Sequence, residues 1–204
     1  HTSRRFESQF GKRMPHPQSA IATPVDHWPP DAATNSPGSD GIRIRLVGDV
    51  SDEMMISSEN CFAAARRARQ PMVVVEIASP GGLILAGERI IGQIEECQNQ
   101  GMIVVTYVPV EAASMAAVIF AAGTRGYRLV GPTASILLHE ARSTAMVGVP
   151  EKVADQRAAL QRLEDLNDRL LSRLSGAMNQ KTDFLKQLLK TNANTDITYV
   201  GKQA

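Results

Sequence analysis

Between residues 42 and 138 the chain alternates short runs of β-branched residues with longer stretches of helical periodicity. Two of the runs, 72–77 and 103–108, are almost continuously apolar, which is typical of strands covered on both faces of a sheet. Shorter strands are predicted at 42–47, 127–130 and 135–138. Because strands that alternate with helices favour parallel pairing with right-handed crossovers, the pattern predicts an α/β domain.

Three stretches between these strands have the spacing of helices. The first covers about residues 53–69, the second follows Gly82 and ends near Asn99, and the third is the small-residue segment 114–122. Each lies where a crossover helix between two parallel strands is expected.

After Pro150, a residue favoured at the first position of a helix, one amphipathic pattern extends for about six turns. Its apolar residues recur at intervals of three and four: Val153, Leu160, Leu163, Leu166, Leu170 and Leu174. We expect Gly176 to end this helix and Thr182 to cap a shorter one. Because the long helix reaches past the α/β core, we expect its apolar stripe to be buried against another subunit.

Residues 1–41 differ from the rest in composition. They contain six prolines among Ser, Thr and Asn residues, without an apolar period: Pro15, Pro17, Pro24, Pro29, Pro30 and Pro37. Such a segment cannot bury enough apolar surface to fold alone, so we expect an extended or disordered arm before a domain at 42–204.

The arm also carries a basic cluster: Arg4, Arg5, Lys12 and Arg13. The cluster is either a solvated tail or the remnant of an organelle-targeting peptide. The chain has no recognisable secretory signal, and because it begins at His1 rather than Met we expect that upstream sequence is missing.

Composition argues against several classes of function. A net charge of +1 gives no overall electrostatic attraction for nucleic acid or an anionic membrane. With 4% aromatic residues, the chain offers few side chains on which the bases of single-stranded nucleic acid could stack. No apolar run approaches the roughly 18 residues of a spanning helix. Cys61 and Cys97 lack metal-ligand spacing and are expected to be small core residues in a reducing compartment. We expect a soluble intracellular, cytoplasmic protein without metal or cofactor, with the mitochondrial matrix or plastid stroma as the alternative.

The first candidate for chemistry is Pro80-Gly81-Gly82, which follows a predicted buried strand and opens a helix. Adjacent glycines let the backbone approach a ligand closely and point amide hydrogens at it, which suits an oxyanion site. An ordinary glycine-containing turn explains the same pattern equally well.

The second candidate is Ser114, which lies where a strand passes through residues 109–113 into a helix. This position exposes a hydroxyl at the carboxyl end of the sheet and leaves the Met115 amide free at the helix N-terminus. A serine that only caps its helix would show the same pattern.

The third candidate is His139, the only histidine outside the Pro-rich arm. A lone histidine at a strand end is more often structural than catalytic. A serine nucleophile, however, needs a base that titrates near neutral pH, and the folded region offers no second imidazole. Lys152 is the alternative base.

Together these segments resemble the ClpP family, the proteolytic subunits of the Clp proteases, over about residues 42–204. Ser79-Pro80-Gly81-Gly82 resembles its oxyanion-strand motif, in which Asn usually stands at the position of Ala78 here. The segment 112–117 (AASMAA) is close to its nucleophile motif, and 137–140 (LLHE) is similar to the segment that bears its histidine. The segment 196–199 (DITY) resembles the element that contains its aspartate.

The resemblance implies roles for five residues. Ser114 would attack the scissile carbonyl, His139 would take and return the proton, and Asp196 would hold the imidazole in the right tautomer. The amides of Gly82 and Met115 would stabilise the oxyanion.

The resemblance also implies a ClpP/crotonase-like fold with a parallel-sheet core and a protruding helical handle at about residues 140–190. The implied activity is ATP-independent peptide-bond hydrolysis by a serine endopeptidase inside an oligomeric chamber. The substrates would be peptides or unfolded proteins, the rings homo- or hetero-oligomeric, and the partner an ATPase unfoldase.

Two departures from the family weaken the link to an unfoldase. The segment 141–150 has one glycine, Gly148, where the family has a glycine-rich stretch, and the arm shows no apolar motif that would engage an ATPase. The alternatives are a viral prohead-type maturation protease and a catalytically silent ClpP-like subunit of a larger complex. An acyl-CoA enzyme of crotonase fold would share the oxyanion hole but would leave Ser114 and His139 without a role.

Overall fold

The computed structural model describes residues 18–24, 41–139, 153–191 and 197–201 of the 204-residue chain. Within these ranges the strands are β1 (Gln18–Pro24), β2 (Gly41–Val47), β3 (Met72–Ala78), β4 (Ile103–Val108), β5 (Glu111–Ala113), β6 (Arg128–Val130), β7 (Ser135–Leu138) and β8 (Ile197–Val200). The helices are α1 (Asp52–Arg67), α2 (Ile84–Asn99), α3 (Met115–Ala121), α4 (Val153–Met178) and α5 (Thr182–Thr191).

The larger sheet has the strand order β1-β2-β3-β4-β6. The four strands β2, β3, β4 and β6 pair in parallel, and β1 pairs antiparallel with β2 at the edge. Alternate residues such as Ile44, Val75 and Val104 are fully buried in one core with Phe62 of α1 and Ile90 of α2. The predicted α/β fold with a parallel-sheet core is therefore confirmed.

A second sheet of three strands carries the site. In this sheet β7 pairs in parallel with β5 and antiparallel with β8. Its register sets Ala113 beside Leu137 and Leu138 beside Ile197. An isolated parallel bridge between Ser79 and Ala112 connects the end of β3 to β5. The carboxyl ends of β3, β5 and β7 therefore lie close together.

Two arginines, Arg173 and Arg128, connect α4 to α2 and to β6. Arg173 forms ion pairs with Glu88 and Glu95 of α2. Arg128 of β6 donates a hydrogen bond of 2.8 Å to the carbonyl oxygen of Ala177, near the end of α4. These contacts hold the last turns of α4 against α2 and against the edge strand β6 of the larger sheet.

The sequence predicted that the apolar stripe of α4 is buried against another subunit. For the last turns of the helix this prediction is wrong. Leu170, Leu171 and Leu174 are only 8% exposed and pack into the core of their own chain, whereas Leu160 is 57% exposed. The buried turns adjoin α3 and α5, so only the part of α4 farther from the core remains for contact with a partner. The side chains of Val153 and Leu163 lie outside the described part of the chain.

The predicted end of α4 at Gly176 is wrong, because the helix continues to Met178. It ends where Asn179 adopts a positive φ of 55° and the Gln180 amide donates to the Ser175 carbonyl at 2.9 Å. This is the left-handed termination that asparagine, after glycine, adopts at low cost. A shorter helix follows as predicted, but Thr182 is its first residue and not the cap before it, and the Thr182 hydroxyl lies 3.0 Å from that of Ser175.

The sequence pattern predicted neither β1 nor β5. Strand β1 lies within the Pro-rich segment that was expected to be an extended or disordered arm, and residues 1–17 and 25–40 of that segment are outside the described ranges. Residues 140–152 of the expected handle also lie outside them. None of the described helices is long and apolar enough to cross a membrane.

Candidate active site

The turn after β3 is held in a conformation that glycine alone adopts without strain. Gly81 and Gly82 have φ values of +98° and +148°. A Cβ atom on Gly81 would lie 2.6 Å from the Cβ of Ser114, and one on Gly82 would lie 2.4 Å from the carbonyl oxygen of Val50. Both glycines are therefore required for the turn, Gly81 also for its close approach to Ser114 and Gly82 for its close approach to Val50.

The orientation of the Gly82 amide follows from the planarity of the peptide unit. The Val50 amide donates a hydrogen bond of 2.8 Å to the carbonyl oxygen of Gly81. Because the C=O and N–H of a trans peptide point in opposite directions, the N–H of Gly82 points away from Val50. Within the described ranges this amide has no hydrogen-bond acceptor.

Ser114 lies directly before α3 in a strained backbone conformation, with φ 54° and ψ −124°. A non-glycine residue held at positive φ costs about 1–3 kcal/mol, and such residues cluster at functional sites. Its hydroxyl makes no capping hydrogen bond to the helix. The alternative that Ser114 merely caps α3 is therefore not supported, and the hydroxyl is available for chemistry.

The Met115 amide is the second candidate donor. The carbonyl oxygen of Ser114, in the same peptide unit, accepts a hydrogen bond of 3.0 Å from the Ala117 amide. The N–H of Met115 therefore points out of the helix, and it also lacks an acceptor among the residues that the structure describes. The Met115 side chain lies over Gly87, where a Cβ atom would come within 2.3 Å of its Cγ.

One cavity of about 300 Å³ contains the predicted groups together. Ser114, Met115, Gly82 and His139 all line it. Ser114 and His139 are both half-buried, and each directly follows the end of a strand, β5 and β7 respectively. The structure thus brings four of the five predicted site residues to one cavity, and an arrangement of a hydroxyl, an imidazole and two amide donors suits acyl transfer.

The fifth predicted residue, Asp196, lies outside the described residues, as do Glu140 and the alternative base Lys152. The neighbouring Ile197 is described: it pairs with Leu138, the residue before His139, and it lines the cavity.

A model of the Clp protease family matches residues 41–198, well over half of the chain. The chain belongs to the Clp protease family. The matched range includes all five residues of the predicted site, Asp196 among them.

Three curated relatives of this family are similar to the chain. The chain is 31% identical over 135 residues to ATP-dependent Clp protease proteolytic subunit 3 of Rhodococcus jostii (strain RHA1), which covers 65% of the chain and 64% of the relative. It is 33% identical to ATP-dependent Clp protease proteolytic subunit of Carsonella ruddii (strain PV) over 48% of each chain. It is 30% identical to ATP-dependent Clp protease proteolytic subunit 3 of Synechococcus sp. (strain CC9605) over 54% of each. The chain thus spans about half to two thirds of the length of these relatives.

The far wall of the cavity is a group of residues that the sequence did not assign to the site. It is built largely by leucines of α4 and α5: Leu170, Leu171, Leu174, Leu185, Leu188 and Leu189. Asn167 of α4 adds a polar side chain to this wall. The helical spacing of the leucines was visible, but the pattern alone does not distinguish burial within the chain from burial between subunits. In this Clp protease family member, the inner end of the handle thus forms part of the candidate active site.

Burial shifts the pKa of two groups that do not line the cavity, one carboxyl and one thiol. Burial raises the pKa of Glu111, in the strand that leads to Ser114. Burial also raises the pKa of the Cys97 thiol, although the Arg66 guanidinium, whose Nη1 lies 3.7 Å from its Sγ, opposes this. Cys97 is therefore a buried core thiol, as predicted, and Cys61 is half-buried. Among the described residues there is no group of three His, Cys, Asp or Glu side chains that could hold a metal ion.

Proposed function

We propose that this chain is a serine endopeptidase of ClpP type. The observation that carries the proposal is that Ser114, with a strained backbone and a hydroxyl not used for capping, shares one cavity with His139 and two amides lacking acceptors in the described ranges. Membership of the Clp protease family supports the same reaction.

In the proposed reaction the hydroxyl oxygen of Ser114 attacks the carbonyl carbon of the scissile peptide bond, and His139 takes the hydroxyl proton. The negative charge that develops on the carbonyl oxygen is stabilised by the Gly82 and Met115 amides, a contribution of about 3 kcal/mol per donor. His139 then gives its proton to the leaving amine. A water molecule, activated by the same imidazole, releases the acyl group from Ser114.

Asp196 is proposed as the acid that orients His139. Strand β8 pairs antiparallel with β7, and its first residue, Ile197, lies opposite Leu138. Asp196 directly precedes Ile197 in the chain, and His139 directly follows Leu138. Continuation of this antiparallel pairing by one residue would set Asp196 opposite His139, and we propose that the carboxylate there fixes the tautomer that accepts the serine proton.

The proposal extends to assembly and partners. The exposed Leu160, on the part of α4 beyond its buried turns, supports contact with another subunit. We propose oligomeric rings, homo- or hetero-oligomeric, that enclose a chamber for peptide or unfolded protein substrates. The names of the curated relatives describe subunits of ATP-dependent proteases, which supports an ATPase unfoldase as partner.

Peptide hydrolysis by the purified full chain tests the proposed function. Fluorogenic peptides and fluorescently labelled casein are incubated with the wild type, with Ser114→Ala and with Ser58→Ala. Ser58 is a suitable control because it is fully buried in α1 and is not among the residues that line the cavity. We expect the wild type and Ser58→Ala to cleave and Ser114→Ala not to. Equal turnover by Ser114→Ala, or no turnover by an assembled wild type, would overturn the proposal.

A further inference from the structure

Ser79 occupies a junction between the glycine turn and the strand that leads to Ser114. Ser79 is only 2% exposed. Its backbone amide donates to the carbonyl oxygen of Glu111, and its own carbonyl oxygen accepts from the Ala113 amide, both at 3.0 Å. The backbone of Ser79 thus fixes the glycine turn relative to β5.

The side chain of Ser79 makes a separate contact inside the turn. Its hydroxyl oxygen accepts a buried hydrogen bond of 3.1 Å from the amide of Gly81. The carbonyl oxygen of Gly81, at the other end of the same residue, accepts from the Val50 amide at 2.8 Å. Gly81 is therefore held at both ends, by a side chain on one side and by backbone on the other.

This double restraint matters because Gly81 has unusual backbone freedom. Without a Cβ atom, glycine populates both signs of φ almost equally, so its own sterics do not fix the orientation of the peptide that follows it. That peptide carries the N–H of Gly82. Of the two contacts, only the Ser79 hydroxyl can be removed by a side-chain substitution.

We propose that the Ser79 hydroxyl positions the oxyanion donor: it holds Gly81 so that the Gly82 amide faces the cavity in the orientation that the transition state requires. Ser79 acts through the backbone and does not touch the substrate, so it is a positioning residue. This inference rests on the proposed function, in which Ser114 is the nucleophile and the Gly82 amide binds the oxyanion. A hydrogen-bond donor that is already oriented before the reaction stabilises the transition state more than it stabilises the bound substrate.

A serine with a purely structural role would only satisfy a buried amide, and its loss would lower stability without a selective effect on chemistry. Ser58 provides the matched comparison for this case. It is fully buried, and its hydroxyl donates one hydrogen bond of 2.8 Å to the Met55 carbonyl within α1. Both serines therefore lose one hydrogen bond on substitution by alanine, but the bond of Ser58 lies within α1 and restrains no residue that lines the cavity.

The test measures kcat and KM for the same fluorogenic peptide with the assembled wild type, Ser79→Ala, Ser79→Thr and Ser58→Ala. We expect Ser79→Ala to lower kcat about 10- to 100-fold, somewhat less than the loss of a whole oxyanion donor. Its KM should stay within about twofold of wild type, because ground-state binding is unchanged. Ser79→Thr, which keeps a hydroxyl oxygen, should recover most of the loss, and Ser58→Ala should keep the wild-type kcat.

An unchanged kcat in Ser79→Ala would overturn the inference, as would an equal loss in Ser58→Ala. If Ser79→Ala does not fold, Ser79→Cys is compared instead, since it is close to serine in size but a weaker acceptor. In that variant a kcat equal to wild type would again overturn the inference. Failure of the proposed function gives a different result, because hydrolysis by the wild type would then be absent or would persist in Ser114→Ala.

Discussion

The backbone amide of Ser114 donates a hydrogen bond of 2.9 Å to the carbonyl oxygen of Leu137. This bond extends the parallel pairing of β5 with β7 by one residue, beyond the pair of Ala113 and Leu137. His139 follows two residues later, so main-chain pairing sets its position relative to Ser114. The position of the proposed nucleophile relative to the proposed base therefore depends on the register of β5 with β7. Substitutions of exposed residues elsewhere in the molecule should leave this register unchanged.

Asp196→Asn should lower turnover by roughly 10⁴-fold, because an amide in place of the carboxylate favours the wrong imidazole tautomer. The matched control is Asp183→Asn, in the first turn of α5, where an exposed acid interacts favourably with the helix dipole. Steady-state hydrolysis by both variants provides the comparison. A large loss in Asp183→Asn with little loss in Asp196→Asn would assign the acid to Asp183, and small effects in both would leave a Ser114–His139 dyad.

Gly81→Ala should destabilise the protein by about 3 kcal/mol and remove activity, since the new methyl group meets Ser114 and the residue has a positive φ. Gly92→Ala is the control. Gly92 lies in the interior of α2, where a Cβ atom would meet nothing outside its own helix within 4 Å, so alanine should stabilise by about 0.5–1 kcal/mol. Chemical denaturation and peptide hydrolysis measure both effects. An active, stable Gly81→Ala would show that the turn does not approach Ser114 as closely as described.

Glu111→Gln should stabilise the protein at neutral pH and not in acid. Burial raises the pKa of Glu111 above its ordinary value of 4.5, so the folded state holds this proton more tightly than the unfolded state. The contribution of Glu111 to stability is therefore greatest below pH 4.5 and falls as the pH rises through the folded pKa. In thermal melts between about pH 3.5 and 8, the melting temperature of the variant should exceed that of the wild type by an amount that grows with pH.

The same substitution at Glu96, an exposed residue of α2, is the control for Glu111→Gln. A difference in melting temperature that is constant across the pH range, or that shrinks as pH rises, would contradict the burial of the Glu111 carboxylate.

Leu174→Ala and Leu160→Ala should separate the two ends of the apolar stripe on α4. Leu174 is 8% exposed and lines the cavity, so its truncation should cost about 2–5 kcal/mol of stability and impair hydrolysis. Leu160 is 57% exposed, so Leu160→Ala should change the stability of the subunit by less than about 0.5 kcal/mol. Denaturation of each variant under matched conditions measures the difference.

Assembly is tested at Leu160 with a charge. Leu160→Glu should lower the oligomer mass seen by light scattering, because a buried subunit contact would have to desolvate the carboxylate. An unchanged mass in Leu160→Glu would remove the outer part of α4 from the proposed subunit interface.

The sequence predicted the parallel strands well because their signal is local. The runs within β3 and β4 are continuous and β-branched, which few other structures accommodate. Strand β5 has only three residues, Glu111–Ala113, and exists through its pairing with β7 and the bridge to Ser79. Strand β1 lies in a Pro-rich segment without an apolar period, and its pairing with β2 is likewise non-local.

The ends and contacts of α4 could not be predicted for related reasons. Gly176 is tolerated inside the helix because it costs only about 1 kcal/mol, and the termination at Asn179 requires a left-handed residue that asparagine also supplies. The apolar stripe of α4 indicated that one face of the helix is buried, but it did not indicate which part of this chain or of another subunit covers that face.

The candidate site was predicted at the level of residues and not of geometry. The motif around Gly81 and Gly82 indicated an oxyanion turn, but the contact of Gly81 with the Ser79 hydroxyl and the direction of the Gly82 N–H depend on the folded backbone. The same holds for the leucine wall of the cavity, which joins the distant helices α4 and α5 to the sheet.

The central claim, that Ser114 is a nucleophile activated by His139, is tested most directly by the mass of the intact chain after reaction with a fluorophosphonate. We expect the assembled wild type to gain one adduct that peptide mapping assigns to Ser114, and Ser58→Ala to gain it at the same rate. His139→Ala should react far more slowly, and Ser114→Ala should not react. A wild type that stays unmodified, or an adduct that persists in Ser114→Ala, would contradict the account.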